Sequence, residues 1–350
     1  MFLQEKNGSI VIEKLTVFLS KTSFFVVAQS AGYLRAAARV PTVFRQTSFS
    51  LKKNRSFGVG KPGTRGTGIL ARKPKPGARF SYFMTTKITF LGTGNALVTK
   101  CYNTCFALQY AGETFLTDAG GGNGILAQLE KADIAVSSIR NLFLTHGHTD
   151  HILGVIWVIR MVASLYTRGK HAGLTIFCHD ECEQKLRTFC QMTLTAKLQS
   201  VLDNGIKFVC LKNGDDFQAG PFKGTAFDIL STKAKQFGYR LTLPDGKILV
   251  CLGDEPYNPA CLSYAQNADY LLSEAFCLYD EREEFKPYEK HHSTALDAAR
   301  VARELQAKNL VLYHTQDNNL AARKTLYTAE AKKEFSGPVY VPDDLESLEI

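Results

Sequence analysis

Ten residues limit what this chain can fold into more than any others: Leu142-Phe-Leu-Thr-His146-Gly-His148-Thr-Asp150-His151. An apolar run, Leu142 to Leu144, reads as a buried strand and delivers three imidazoles and a carboxylate within six positions. Extended or turned backbone sets His146 and His148 side by side, while Asp150 and His151 fall where the chain turns away. Ligand-type side chains packed behind an apolar strand are costly unless they hold something. Imidazole and carboxylate at this spacing suit Zn2+, with Mn2+ as the alternative, and two adjacent ions if further ligands arrive from elsewhere in the chain. The bland alternative is a polar loop with incidental histidines.

Charge divides the chain unevenly. Residues 1–83 carry 15 Lys+Arg against 2 Asp+Glu, a net of +13, although the whole chain is only +9; residues 84–350 are therefore net −4. A slightly acidic body does not advertise a polyanion such as tRNA, which a positive field helps to bind. No acidic residue occurs between Glu13 and Glu113, and Gly, Pro and Ser punctuate the second half of the basic stretch. Such a segment buries too little to offset its conformational entropy, so residues 1–83 are expected to have little fixed structure. They read as an acid-poor organelle transit peptide, a nucleic-acid-binding arm, or the product of a start codon placed too early. The last is preferred, with Met84 as the start, because Met84 immediately precedes the first strand and all eight histidines and nine cysteines follow it.

The nine cysteines are scattered, and Cys178 and Cys182 have no second pair to complete a zinc knuckle. Reduced thiols and a cytoplasmic location follow, or an organelle if residues 1–83 are a transit peptide. No apolar run in the sequence reaches the length of a membrane span, so no membrane partner is expected. Homodimerisation is left open.

The rest of the body alternates strands and helices. Lys87–Ala96, Asn103–Tyr110 and Thr114–Asp118 read as strands, Asn123–Lys131 as a helix, and Ile152–Leu165 as a helix apolar nearly all round. Leu174–His179 is a strand and Asp180–Leu198 looks helical. Strands follow at Ile206–Leu211 and Thr225–Leu230, then a hairpin around Pro244-Asp-Gly. Asp254 lies just past a buried strand, where an aspartate after Gly is commonly a turn residue. His314 follows Leu310-Val-Leu-Tyr and in isolation is a strand-end histidine with one hydrogen bond. Thr294 with Asp297 makes a capping-box helix start, placing His292 just before the helix; a surface histidine is its ordinary fate. The Gly run after Asp118 is no phosphate loop, since no Lys-Ser/Thr follows.

His146-x-His148-x-Asp150-His151 resembles the metal signature of the metallo-β-lactamase superfamily, and the surrounding text is most similar to the branch holding ribonuclease Z and related phosphodiesterases, from about Lys87 onward. The resemblance implies an α/β (α+β) fold, a four-layer αββα sandwich of two mixed sheets flanked by helices. It implies that Asp118 supports a metal-binding histidine, that Asp254 bridges two ions, and that His314 is the last metal histidine. His146, His148, Asp150, His151, Asp254 and His314 then form the metal set. It further implies a proton relay of Glu274 and His292, which with Asp150 are the catalytic candidates. The activity implied is metal-assisted hydrolysis of a small-molecule or nucleotide phosphodiester.

Three departures bear on that expectation. The family has one more metal histidine before a Gly-Tyr strand; here the stretch reads Ile229-Leu-Ser231-Thr232-Lys233, with Ser231 or Thr232 in the expected place. His171 and His179 lie well upstream, and His179 is a weak substitute. The loop near Lys100 and Asn103 lacks the family's Pro and Arg, and no Gly- and Pro-rich arm is inserted between His151 and Gly238. These argue against the ribonuclease Z-like cleavage of tRNA 3′ ends. The missing histidine leaves a non-catalytic metal-binding sensor or scaffold as a further reading.

Overall fold

The computed structural model describes residues 85–350 throughout and five strands in the segment before them. Those five are β1 (Glu5–Lys6) paired with β2 (Ser9–Ile10), and an antiparallel sheet of β3 (Lys14–Leu19), β4 (Phe24–Ser30) and β5 (Tyr33–Val40). Little fixed structure is expected there from composition; the β-branched and aromatic runs Leu15–Leu19 and Phe24–Val27 are the local sequences that favour strands. The expectations about Met84 and a transit peptide lie outside the described residues.

In the body, two seven-stranded mixed sheets face one another. The first contains β6 (Lys87–Gly92), β7 (Cys105–Tyr110), β8 (Glu113–Thr117), β9 (Ile139–Phe143), β10 (Leu174–Cys178), β11 (Ile206–Cys210) and β19 (Ser347–Glu349), in the order β11-β10-β9-β8-β7-β6-β19. The second runs in sequence order through β12 (Asp216–Ala219), β13 (Phe222–Asp228), β14 (Phe237–Thr242), β15 (Ile248–Cys251), β16 (Tyr270–Glu274), β17 (Asn309–Tyr313) and β18 (Val339–Tyr340). Each sheet has a hairpin-connected antiparallel part and a parallel part. The parallel part of the first, β8 to β11, is linked by α1 (Gly124–Lys131), α2 (Thr149–Tyr166), α3 (Asp180–Thr193) and α4 (Ala196–Gln199). That of the second, β15 to β18, is linked by α5 (Leu262–Ala265), α6 (Arg282–Phe285), α7 (Ala295–Glu304) and α8 (Leu320–Ala331). Parallel neighbours need such crossovers, and helices then cover both outer faces. The αββα sandwich expected from the sequence is the observed fold.

Side-chain alternation explains the layering. On β7, Phe106 and Leu108 face the space between the sheets, while Cys105 and Ala107 face the helices α1 to α3. The inter-sheet layer is aromatic: Phe143 meets Tyr239 edge-on with ring centroids 4.8 Å apart, and Phe217 packs against both. Each fully buried aromatic of this kind contributes roughly 1.5–3 kcal/mol. Helix α2 has the length and apolarity to cross a membrane by composition alone, yet Val155, Val158, Ile159 and Val162 are buried against the first sheet.

The hairpin forms as read: Leu243 and Lys247 close it, with Gly246 at φ +88° in the left-handed region that glycine tolerates. Two boundaries differ. The helix expected over Asp180–Leu198 breaks at Leu194, which is extended, and restarts after Thr195; two β-branched threonines flank the break. Strand β13 begins at Phe222, earlier than its apolar run suggests, because β12 pairs with it through the tight turn at Gly220.

Candidate metal centre

The candidate residues gather where the parallel strands of both sheets end. Asp118 follows β8, His146 follows β9, Asp254 follows β15, Glu274 closes β16 and His314 follows β17. The carboxyl ends of parallel strands are the usual position of sites in α/β sheets. Past β9 the chain ties the sheets together: the Leu144 N–H donates to the Phe177 carbonyl in the first sheet, and the Phe237 N–H from the second donates to the Thr145 carbonyl. His146 and Gln236 form an antiparallel bridge beside it. Here the chain enters α2 with His148 as the residue before its first turn and Asp150 within it.

The turn after Asp118 fixes the start of α2. A Cβ on Gly154 would lie 1.8 Å from the Ala119 carbonyl oxygen, so only glycine lets helix and turn approach this closely. Asp118 itself sits at φ +54° and His314 at φ +58°, conformations that cost a non-glycine residue of order 1–3 kcal/mol and persist where the surroundings dictate them. The Asp118 carboxylate accepts from the Thr145 N–H and hydroxyl, each at 2.8 Å, and from His151 Nδ1 at 2.7 Å. That bond places the His151 proton on Nδ1 and leaves the Nε2 lone pair directed into the site.

Four donor atoms then converge. His151 Nε2 is 3.3 Å from Asp150 Oδ2 and 3.5 Å from Asp254 Oδ2, and His314 Nε2 is 3.5 Å from both carboxylate oxygens. Ligand atoms about 2.1 Å from a tetrahedral zinc ion stand roughly 3.4 Å apart, which is the spacing found. Neither His151 Nε2 nor either ring nitrogen of His314 has a hydrogen-bond partner, although all are buried. Buried polar atoms are normally satisfied, so this set fits a divalent ion. A second set, His146, His148 and Asp254, shares the Asp254 carboxylate, with His146 Nε2 3.5 Å from Asp254 Oδ2. It has three donors where the first set has four.

Electrostatics agree with the geometry. Burial holds the His146 and His148 imidazoles below their ordinary pKa, keeping lone pairs available near neutral pH. Burial also opposes charge on His151, but Asp150 and Asp118 outweigh it and raise its pKa, so an ion binding at Nε2 displaces a proton from it. Burial raises the Asp254 carboxyl, and the surrounding His146, His151 and His314 more than reverse that, leaving it well below the carboxylate range.

Opposite these sets, His292 is stacked on Phe276 with ring planes 2° apart, and its Nδ1 faces Glu274 Oε2 at 3.6 Å. Glu274 is fully buried and its other oxygen accepts the Ser293 N–H. The expected capping box forms: Thr294 accepts from the Asp297 N–H, and Asp297 accepts from the Thr294 N–H at 3.1 Å. His291, at φ +56°, turns away and bonds Thr232 through Nδ1 at 2.7 Å.

The place of the missing histidine differs from the sequence reading. The Ser231 hydroxyl donates to Glu255 at 2.6 Å and Thr232 bonds His291, so neither offers a ligand. It is Lys233 that lines the cleft, of about 340 Å³, together with Gly147, His148, Asp150, Asp254, His292 and His314. A lone lysine in a polar loop carries no sequence signal that would place it in a cleft. His179 does not substitute: its Nε2 lies 3.2 Å from the Cys182 sulfur, and its ring packs near Phe237. His171 bonds the Val136 carbonyl and the Gly173 N–H. All nine cysteines are free thiols.

Residues 86–335 match the family model described as anti-Pycsar protein Apyc1. A ribonuclease Z from Methanothermobacter thermautotrophicus is 27% identical over 75% of this chain and 96% of its own length. Among solved structures, the metallo-β-lactamase fold protein YhfI from Bacillus subtilis superimposes with a TM-score of 0.63 at 22% identity, over 76% of this chain and 100% of that one. Human tRNase Z, short form, gives 0.59 at 21% identity, over 75% and 99%.

Proposed function

The chain belongs to the family described as anti-Pycsar protein Apyc1 and has the metallo-β-lactamase fold, and on that premise we propose that it hydrolyses a phosphodiester with the help of a bound divalent ion. The observation that carries this reading is the convergence of Asp150, His151, Asp254 and His314 at ligand-to-ligand spacing, with His151 Nε2 and both His314 ring nitrogens buried and unpartnered, facing His292 across one cleft. Zn2+ suits the mixed imidazole and carboxylate donors, with Mn2+ the alternative. When bound, the ion would supply a nucleophile at neutral pH and neutralise charge at phosphorus.

The protein's own residues do the rest. Asp118 keeps the His151 Nε2 lone pair aimed into the site. Asp150 lines the cleft, and in this reading its carboxylate accepts a proton from the attacking water. His292 donates a proton to the leaving oxygen, with its ring held by Phe276 and its Nδ1 turned toward Glu274. The chain, loaded with Zn2+ or Mn2+, is expected to turn over a chromogenic phosphodiester. Asp254→Ala and His314→Ala should each lower the rate at least about a hundredfold; full activity in either variant contradicts the reading. Bound metal without turnover of any ester would instead mark a sensor or scaffold.

The second reading is an RNA substrate, cleavage at tRNA 3′ ends, and the curated relatives named ribonuclease Z favour it over a small substrate. The net −4 of residues 84–350 weighs the other way. So does the lack of an arm: among the described residues between α2 and β14, the longest stretch outside helices and strands is Ile229–Gln236. Cleavage of a tRNA precursor, with binding that weakens steeply as salt rises, would decide for RNA. The cytoplasm is the compartment this reading assigns, in keeping with nine free thiols.

A further inference from the structure

Charge in the cleft is the starting point. Asp150 and Asp254 bring two negative charges, which one divalent ion balances and no more. An anionic phosphodiester entering a merely neutralised cleft gains little, so further positive charge is needed where its non-bridging oxygens lie. Two ions would ordinarily supply it. Here the three-donor position of His146, His148 and Asp254 lacks its fourth donor, and Lys233 enters the cleft beside it.

The turn that carries Lys233 is held in place. Its Nζ is 3.9 Å from Glu255 Oε1, and the buried Glu255 carboxylate is itself held by the Ser231 hydroxyl. The Ser231 oxygen also accepts from the backbone N–H groups of Lys233 and Ala234, closing a tight turn that presents the lysine. Thr232, the residue between, is tied to His291 and so to the loop that carries His292. A second ammonium comes near the same turn: Lys185 Nζ would be 2.7 Å from a Cβ on Gly147, the residue between His146 and His148 in the chain. An ammonium beside a three-donor position repels a cation there and attracts an oxyanion.

We propose that Lys233 stands in for the second ion, so that the site works with a single tightly held divalent ion at Asp150, His151, Asp254 and His314, and the Lys233 ammonium binds a non-bridging phosphoryl oxygen. The assignment rests on the phosphodiester reading, and its test is separable from it. Metal per chain is measured by mass spectrometry on the full chain after dialysis at fixed low free zinc, and binding of inorganic phosphate by calorimetry. One ion per chain is expected, and two in Lys233→His. Phosphate should bind about tenfold more weakly to Lys233→Ala, with most of the affinity restored in Lys233→Arg. Two ions in the unsubstituted chain, or phosphate affinities within twofold between it and Lys233→Ala, overturn the proposal. If these shifts appear but no phosphodiester is hydrolysed, the reaction assignment falls and the role of Lys233 as an oxyanion site stands.

Discussion

Asp118 and His151 are thirty-three positions apart, yet the carboxylate of the first takes the Nδ1–H of the second at 2.7 Å and thereby decides which face of the imidazole is open. Replacing Asp118 by Asn keeps the shape and tolerates the left-handed backbone, but weakens the acceptor that selects the tautomer. Zinc affinity should fall about 10–100-fold while the melting curve stays cooperative. Competition against a coloured chelator reads this directly; unchanged affinity would show that the tautomer is set elsewhere.

The imidazoles make opposing contributions to stability in the metal-free chain. Burial keeps His146 and His148 below the ordinary histidine range. Free histidine titrates near 6.5, so below about that pH the unfolded chain takes up protons that the folded one resists, and stability falls as pH falls. His151 is raised, against the pull of burial, by Asp150 and Asp118, so its stabilisation is complete below about pH 6.5 and is lost as pH rises through its folded value. Melting temperatures of chelator-treated protein should therefore peak near pH 6.5, and His146→Gln should flatten the acid side. A steady trend from about pH 5 to 9 would be incompatible with these signs.

The two sheets are also joined by a polar contact deep in the aromatic layer. The hydroxyls of Tyr239 and Thr117 lie 2.6 Å apart, and both residues are buried. Tyr239→Phe leaves the Thr117 hydroxyl without this partner and should cost about 1–3 kcal/mol in denaturant unfolding. Thr117→Val in the Phe background should recover part of that loss; an equal or greater loss would mean that the pair is not coupled.

Gly154→Ala is a sharper test of how the site is held. The added methyl would meet the Ala119 carbonyl at 1.8 Å, so α2 must move away from the turn that carries Asp118. Overpacking of this kind costs about 1–3 kcal/mol. Zinc binding should weaken with it, because His151 rides on α2 and its partner on the turn. Weakened stability with intact zinc affinity would show that the turn follows the helix.

The sequence made the site legible to the extent that its chemistry is concentrated. His146 to His151 are packed into one strand-loop-helix start, whereas Asp254, Glu274 and His314 stand singly at or just past apolar strands and take their roles from the family resemblance, not from their local pattern. The fold class followed from the same alternation. Lys233 was not legible, because nothing local separates a cleft lysine from a solvated one, and only the loop bonds of Ser231 and Thr232 turn it inward. Arg323 was hidden for a related reason: it sits on a helix beside Lys324 and Thr325 like a solvated arginine, yet is almost wholly buried. Strands β18 and β19 are two and three residues long, too short for any periodicity to register.

That buried arginine has a consequence for synthesis. Its guanidinium donates to the hydroxyls of Thr93 and Thr315 and to the Pro342 carbonyl, and reaches the Asp343 carboxylate at 2.9 Å. Strand β19 meanwhile completes the edge beside β6, pairing Ser347 with Thr89. The loop beside the first strand is thus stapled to residues made roughly 250 positions later. A ribosome that has just released the histidine motif is holding an unassembled list of ligands, and the second sheet is not yet translated. Domains that fold as units during translation do so only when their closing elements emerge. Nascent chains stalled before Asp343 should therefore remain unable to retain zinc, whatever the motif they already display.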